Sequence, residues 1–429
     1  KLKTVSSYLF SGCENLKEVT LPESIETISE CSFKNCLILK NINIPNNVKS
    51  IGEAAFYGCA SIENIVLPKS LKEIKADTFG SCSALNHCEI PESVTKIGDS
   101  AFAFCINLED LVLPKKLTSL GNEVFIDCFK LKNIDISNVR SIGEQTFSNC
   151  IELESISLSK ELSKIGNYAF SRCYNLKNID LPNSVTHIGN SAFISCKKLK
   201  EIILPESLKR IGDESFSQCE GLEKIKFNDG LQSMGLKSFS ETAIKELVLP
   251  NSITKIDKFA FNFCRKMEFA KLPENLQEIS EGLFNNCSNL KEVVFPKTLV
   301  KIGDDSFSST YLSRLILPES LKEIGQSAFF DIDSLQEIKI PNGIEKIDSY
   351  AFDSYPNISY IDFPNSLKVF GIQDDKYHYF DKTKDGFRLS SSKSNGSINT
   401  FNVKLNPAFL SSNWEQKDVL LKDQQNPTI

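Results

Sequence analysis

One pattern of apolar and polar positions recurs along the whole chain. Each unit holds a run such as Leu199-x-x-Ile202-x-Leu204, whose alternating end is the signature of a half-buried strand. Proline follows, as Pro205 does, and ends the strand because it has no N–H to give to a ladder. A second apolar pair, such as Val185 and Ile188, points a short edge inward on the return path. An Ala-Phe pair then sends a ring inside. These rings anchor the period: Phe10, Phe33, Phe56, Phe79, Phe102, Phe125, Phe147, Phe170, Phe193, Phe216, Phe239, Phe261, Phe284, Phe307, Phe329 and Phe352. Every step is 23 residues except three of 22.

The consensus reads I-x-x-I-G-x-x-A-F-x-x-C-x-x-L-x-x-I-x-L-P-x-S. A unit this short cannot bury its own apolar face, but stacked units can, each strand pairing in parallel with the next. The pattern therefore predicts an α/β-type solenoid of about sixteen 23-residue coils with one parallel β-sheet, mostly strand and turn. The residue after the second apolar pair is often glycine (Gly52, Gly98, Gly121, Gly143, Gly166, Gly189, Gly212), which predicts a turn with positive φ there.

The cysteines follow the same frame. Of the fourteen, twelve stand three residues after an anchor, from Cys13 to Cys287; Cys88 takes a strand core position and Cys31 precedes an anchor. Equivalent positions on neighbouring coils predict a ladder of small, buried, reduced thiols. Thr242 and Thr310 at ladder positions fit a packing role.

The remaining chemistry is sparse. The three histidines, His87, His187 and His378, fall in different units, and no C-x-x-C pair occurs to seed a zinc site. Gly230-x-x-x-x-Gly235 lacks the lysine of a phosphate loop and falls on the repeat's own turn. Asn286, Asn357 and Asn395 head glycosylation sequons, a pattern common by chance. The expectation is a protein that is not an enzyme, with no catalytic residues, cofactor or metal. A net charge of −6 over 429 residues argues against nucleic acid as a partner, which needs a concentrated basic face. No apolar run is long enough to insert in a membrane, and no signal-peptide core follows Lys1-Leu2-Lys3-Thr4-Val5.

The A-F-x-x-C-x-x-L-x-x-I-x-L-P frame and its 23-residue period resemble the BspA-like leucine-rich repeat family, also called the Treponema pallidum type, over roughly residues 1–371. The resemblance implies a leucine-rich repeat right-handed superhelix. It also implies a cell-surface or secreted adhesion module that contacts host or microbial macromolecules. The chain departs from the frame at Asn138-Val139, Ser159-Lys160 and Asn228-Asp229-Gly230, where irregular coils are expected.

A partner is expected on the side chains that project from the sheet. The candidate partner-binding residues are Glu89, Asp110, Asp135, Asp180, Glu201, Lys226, Val248, Lys271, Val294 and Ile316. In the first nine units the charged members of the two outward columns are all acidic; from Lys224 onward, bases and acids alternate. The partner expected is a protein or glycoprotein bound by a monomeric chain, and the localisation is cell surface or secreted. Alternative readings are a cytoplasmic protein-interaction scaffold, or a recognition array attached to an enzymatic domain outside this chain. Two domains are expected: the solenoid at 1–371, and a C-terminal cap and tail at 372–429. In the cap, Tyr377–Leu389 reads as a hairpin, 390–397 as a loop, and the stretch around Trp414 as a helix. Because the array starts in mid-unit, a cap or further coils are expected upstream.

Overall fold

The computed structural model describes residues 2–353 and positions 364, 366 and 367. It also describes the backbone of strands Tyr360–Asp362, Val369–Phe370, His378–Thr383, Gly386–Ser392 and Ile398–Lys404. The chain is a parallel β-solenoid and forms two compact units, residues 1–244 and 245–429.

In the first unit most coils contribute one strand to each of two parallel rows; at Asp110 the first row is held by single bridges, and at 178–180 no strand forms. The first row contains Glu18–Thr20, Asn41–Asn43, Asn64–Val66, His87–Glu89, Asn133–Ile136, Ser155–Leu158, Glu201–Ile203 and Lys224–Lys226. Neighbours pair in register, Val19 opposite Ile42 and Ile65 opposite Cys88, so the middle residue of every strand faces the core. The second row consists of two-residue strands from Thr4–Val5 to Ser233–Met234. Here Ile28 pairs with Ile51 and Ile165 with Ile188.

The third side of each coil is a chain of turns built around the anchor. Its backbone hydrogen bonds run between coils: Ala54 N–H to the Ala76 carbonyl (3.0 Å), Phe56 to Thr78 (3.0 Å), Gly58 to Gly80 (2.8 Å). Alternate N–H groups can all face the next coil only if the residues two before and two after the anchor turn left-handed. Ala54 (φ 50°), Asp77 (54°), Ser81 (59°), Tyr168 (54°) and Arg172 (58°) do so without being glycine.

This corrects the reading of the glycines. None of Gly52, Gly98, Gly121, Gly143, Gly166, Gly189 and Gly212 lies in the left-handed region. They are needed because the neighbouring coil passes too close for a side chain. A Cβ on Gly52 would sit 2.3 Å from Glu30 N, and one on Gly166 2.5 Å from the Gly143 carbonyl oxygen.

The interior is laid down in rows. Phe10 to Phe239 form a continuous stack with ring centroids 5.1–5.8 Å apart, an offset arrangement that aromatic rings prefer. Beside it, from Cys36 to Cys219 each ladder thiol donates to the carbonyl of the previous coil's anchor: Cys59 Sγ to Phe33 O (3.1 Å), Cys105 to Phe79 (3.2 Å), Cys173 to Phe147 (3.2 Å). All fourteen cysteines are free, and only Cys13 is exposed. At Thr242 the hydroxyl bonds instead to its own anchor, Phe239 O (3.0 Å).

The coils without the strand-ending proline stay regular. Their strands gain a residue, with Ile136 opposite Leu158. The turn still closes, Val139 N–H on Ile136 O (2.9 Å) and Leu162 N–H on Ser159 O (3.0 Å). At Asn228 the buried side chain fills the gap, donating to Pro205 O (2.7 Å) and accepting from Gly230 N–H (2.8 Å).

The second unit repeats this plan. Its first row includes Glu246–Val248, Phe269–Lys271 and Glu292–Val294, then Arg314–Ile316 and Glu337–Lys339. Phe261, Phe284, Phe307, Phe329 and Phe352 stack at 5.3–6.0 Å, and Phe295 meets Phe307 edge-on at 5.6 Å. The expected hairpin is present: His378–Thr383 runs antiparallel to Gly386–Ser392, with Thr383 opposite Gly386. Ser390–Ser392, expected in a loop, continues that strand. A third strand, Ile398–Lys404, pairs antiparallel with the hairpin and parallel with Tyr360–Asp362. The helix expected around Trp414 lies outside the described residues.

Candidate interaction surface

Because strand side chains alternate, burying the central residue of each first-row strand, mostly Ile, Val or Leu, turns its two flanking residues outward. All ten candidates occupy these positions or their equivalents. Nine are exposed, and Lys271 is half-buried. Successive rungs, about 4.8 Å apart, set them side by side. In the first unit Val66 lies opposite Glu89, His87 opposite Asp110, and Asp135 opposite Ser157. Ile203 lies opposite Lys226, and Glu201 opposite Lys224. In the second unit Val248 faces Lys271, Lys271 faces Val294, and Ile316 faces Lys339.

The face of the first unit is acidic as far as Glu201, with Lys224 and Lys226 on the strand that follows, and the carboxylates are free to act outward. Among the described residues, no cation comes within 4.0 Å of Glu89, Asp110, Asp135, Asp180 or Glu201. Asp135 is held in place by accepting the Ser137 N–H (2.9 Å). The second unit neutralises part of its face internally: Arg314 pairs with Glu337 on the next strand at 2.9 Å. Both partners are more than half exposed, so the pair orders side chains and adds little stability.

The most exposed apolar residues on the face are ones that were not singled out from the sequence. Val66 is 70% exposed and Val112 77%, against 56% for Val248 and 38% for Val294. Their signal was available, since they stand in the same outward column. Interleaved with Glu89 and Asp135, they make a stripe of alternating apolar and anionic groups.

Among the described residues, most of the thiols behind this face are not activated. Burial pushes the Cys82 thiol up to about 12 and the Cys105, Cys150 and Cys196 thiols well above their ordinary range. Such thiols are poor nucleophiles. His187 Nδ1 lies 2.8 Å from the Thr186 hydroxyl, which also donates to the Ser163 carbonyl (3.2 Å). Among the described residues, no group of three His, Cys, Asp or Glu side chains is placed to hold a metal, and no helix is long and apolar enough to cross a membrane.

Parallel strand rows, a phenylalanine spine and a solvent-facing sheet define the class of leucine-rich repeat solenoids, scaffolds used typically for protein interaction. Within it the chain belongs to the BspA type: the family described as BspA type leucine rich repeat region (6 copies) matches residues 3–132, 118–219, 186–312 and 254–380. No curated relative matches the chain. Among solved structures it is similar to a leucine-rich repeat protein of Bacteroides ovatus, with 23% identity over 87% of this chain and 88% of that one and a TM-score of 0.46. It is also similar to a leucine rich cell surface protein of Faecalibacterium prausnitzii (24% identity, 68% and 83% covered, TM-score 0.42). A leucine-rich repeat protein of T. pallidum is similar at 26% identity, with 41% and 72% covered and a TM-score of 0.31.

Proposed function

We propose that the chain is a non-catalytic adhesion module, displayed on a cell surface or secreted, that binds a protein or glycoprotein through the sheet faces of its units. The observation that carries this reading is the division of labour within each coil. The Phe, Cys, Leu and Gly positions are consumed by stacking, while the outward strand positions are mostly exposed and chemically varied, and the carboxylates of the first unit's face have no cation partner among the described residues. On the first unit, Glu89, Asp110, Asp135, Asp180 and Glu201 fit a partner presenting basic groups, with Val66 and Val112 offering apolar contact. On the second, Val248, Val294 and Ile316 offer an apolar strip beside Lys271. The thiols suit an oxidising exterior because they are shielded. Residues 372–429 serve as the cap of the array, which the pairing of Ile398–Lys404 with Tyr360–Asp362 supports.

The test is adhesion of beads carrying the chain to immobilised extracellular-matrix glycoproteins and to cultured epithelial cells. The triple variant Asp135→Lys, Asp180→Lys, Glu201→Lys is expected to lose at least about tenfold in affinity, or 1.4 kcal/mol, with an unchanged melting temperature. Undiminished binding by the folded variant would remove the sheet face from the account.

A further inference from the structure

The return edge of the first unit carries a run of cations, most of which the fold leaves unneutralised. The outward residue of each two-residue strand and the residue before it form two rows. Along successive coils these rows hold Lys49, Lys72 and Lys96, then Arg140, Lys164 and the adjacent Lys209 and Arg210, all exposed. Backbone bonds keep the rows in line: Thr95 N–H to Lys72 O (3.0 Å), and Ser163 N–H to Arg140 O (3.0 Å). Between Lys49 and Arg210 the sole carboxylate in either row is Glu73. Lys49 pairs with Glu26 (2.9 Å) and Arg140 with Glu161 (3.0 Å). Among the described residues no carboxylate lies within 4.0 Å of Lys72, Lys96, Lys164, Lys209 or Arg210.

The same rows in the second unit behave differently. Lys255 pairs with Asp257 (3.3 Å), Lys301 with Glu278 (3.0 Å) and Lys346 with Asp348 (2.9 Å). The frame thus allows these cations partners, and in the first unit five of the seven lack one among the described residues. Lys49, Lys72 and Lys96, with Ser50, Glu73 and Thr95, also line a surface groove of about 270 Å³.

The occupant must be long, linear and anionic. Seven coil steps at about 4.8 Å give a strip roughly 34 Å long, and the positions between cations are mostly hydroxyls, such as Thr95, Ser119, Ser163 and Thr186. Single-stranded nucleic acid is held by basic grooves interleaved with aromatic platforms for the bases. A lipid surface calls for apolar side chains that enter the interface. These rows hold no Phe, Tyr, Trp or large apolar side chain, and between Lys49 and Arg210 the one ring is the imidazole of His187. We propose that this edge binds a linear sulfated polysaccharide, with sulfates on the Lys and Arg heads and sugar hydroxyls on Ser and Thr. This site is separate from the sheet face and stands whether or not that face binds a protein.

The experiment is calorimetric titration of the full chain with a heparin oligosaccharide of defined length. Binding is expected at about 50 mM salt and should weaken on the order of 10³-fold by about 200 mM, as release of counterions from several contacts requires. Lys164→Glu with Arg210→Glu should cost at least about tenfold. Lys198→Glu with Lys200→Glu, an equal charge change on exposed lysines outside the strip, should leave affinity unchanged. The proposal is overturned by absent binding at low salt, by equal losses in the two variants, or by equal affinity for the desulfated oligosaccharide. Tighter, strip-dependent binding of oligo-dT would overturn it in favour of nucleic acid.

Discussion

At the scale of single residues, the coil inverts the usual rule for glycine. Most positions with positive φ carry residues such as Ala54, Asp77, Tyr168 or Ser191, with glycine there only at Gly12, Gly58 and Gly282 among the described residues. The recurrent turn glycines stand where φ is ordinary. Left-handed backbone costs a non-glycine residue roughly 1–2 kcal/mol, and the inter-coil hydrogen bonds at these positions offset it. Two substitutions separate the causes. Gly166→Ala puts a methyl 2.5 Å from the Gly143 carbonyl oxygen, so the coils must part, a distortion costing about 1–3 kcal/mol. Ala54→Gly relieves strain but frees the unfolded chain, so it should change stability by less than about 1 kcal/mol. Urea midpoints measure both. A neutral Gly166→Ala beside a strongly destabilising Ala54→Gly would reverse the assignment.

At the scale of one coil, the anchor carbonyl is the junction where ring stack and thiol ladder meet. Phe147 O accepts the Cys150 N–H of its own coil (3.1 Å) and the Cys173 thiol of the next (3.2 Å). Cys173→Ala removes one of two bonds and a small buried volume, for about 1–2 kcal/mol. Cys173→Thr should cost less, because threonine at 242 and 310 finds its own coil's anchor carbonyl, at 3.0 and 2.8 Å. Denaturation curves that rank threonine below alanine would contradict this. Removing the ring itself, Phe170→Ala, should cost about 3–5 kcal/mol.

The repeat made these rows legible in the sequence, since Phe, Cys and Leu recur where they touch. The outward columns were legible too, because strand side chains alternate. The left-handed positions were not, because Ala54 and Arg172 are chemically ordinary and the strain on them comes from the neighbouring coil. The glycines were visible, but the backbone crowding that selects them was not. The basic strip was hidden by averaging. Most coils contribute a single cation and the chain is net acidic, so only the register brings Lys96, Lys164 and Arg210 into line.

At the scale of the whole molecule, the repeated thiols couple stability to alkaline pH. Burial pushes the thiols of Cys82, Cys105, Cys128, Cys150, Cys173, Cys196 and Cys287 above their ordinary range. In the unfolded chain the same groups ionise near about 8.5. Below that value both states hold the proton and the stabilisation is complete. Above it the unfolded chain sheds protons that the folded chain keeps, so stability falls as pH rises, until the folded thiols themselves ionise, at about 12 for Cys82. Each thiol contributes at most about 1.4 kcal/mol per pH unit in that window, and the rows add many small slopes in one direction. The urea midpoint is therefore expected to be flat from about pH 7 to 8 and to drop steeply from about pH 9 to 11. Replacing Cys105, Cys128 and Cys150 by threonine should flatten the drop, because a hydroxyl does not titrate there. Tyrosines and lysines ionise in the same range in both proteins, so the difference between the two curves isolates the thiols. Identical alkaline slopes in the parent and the triple variant would show that the buried ladder does not set this limit.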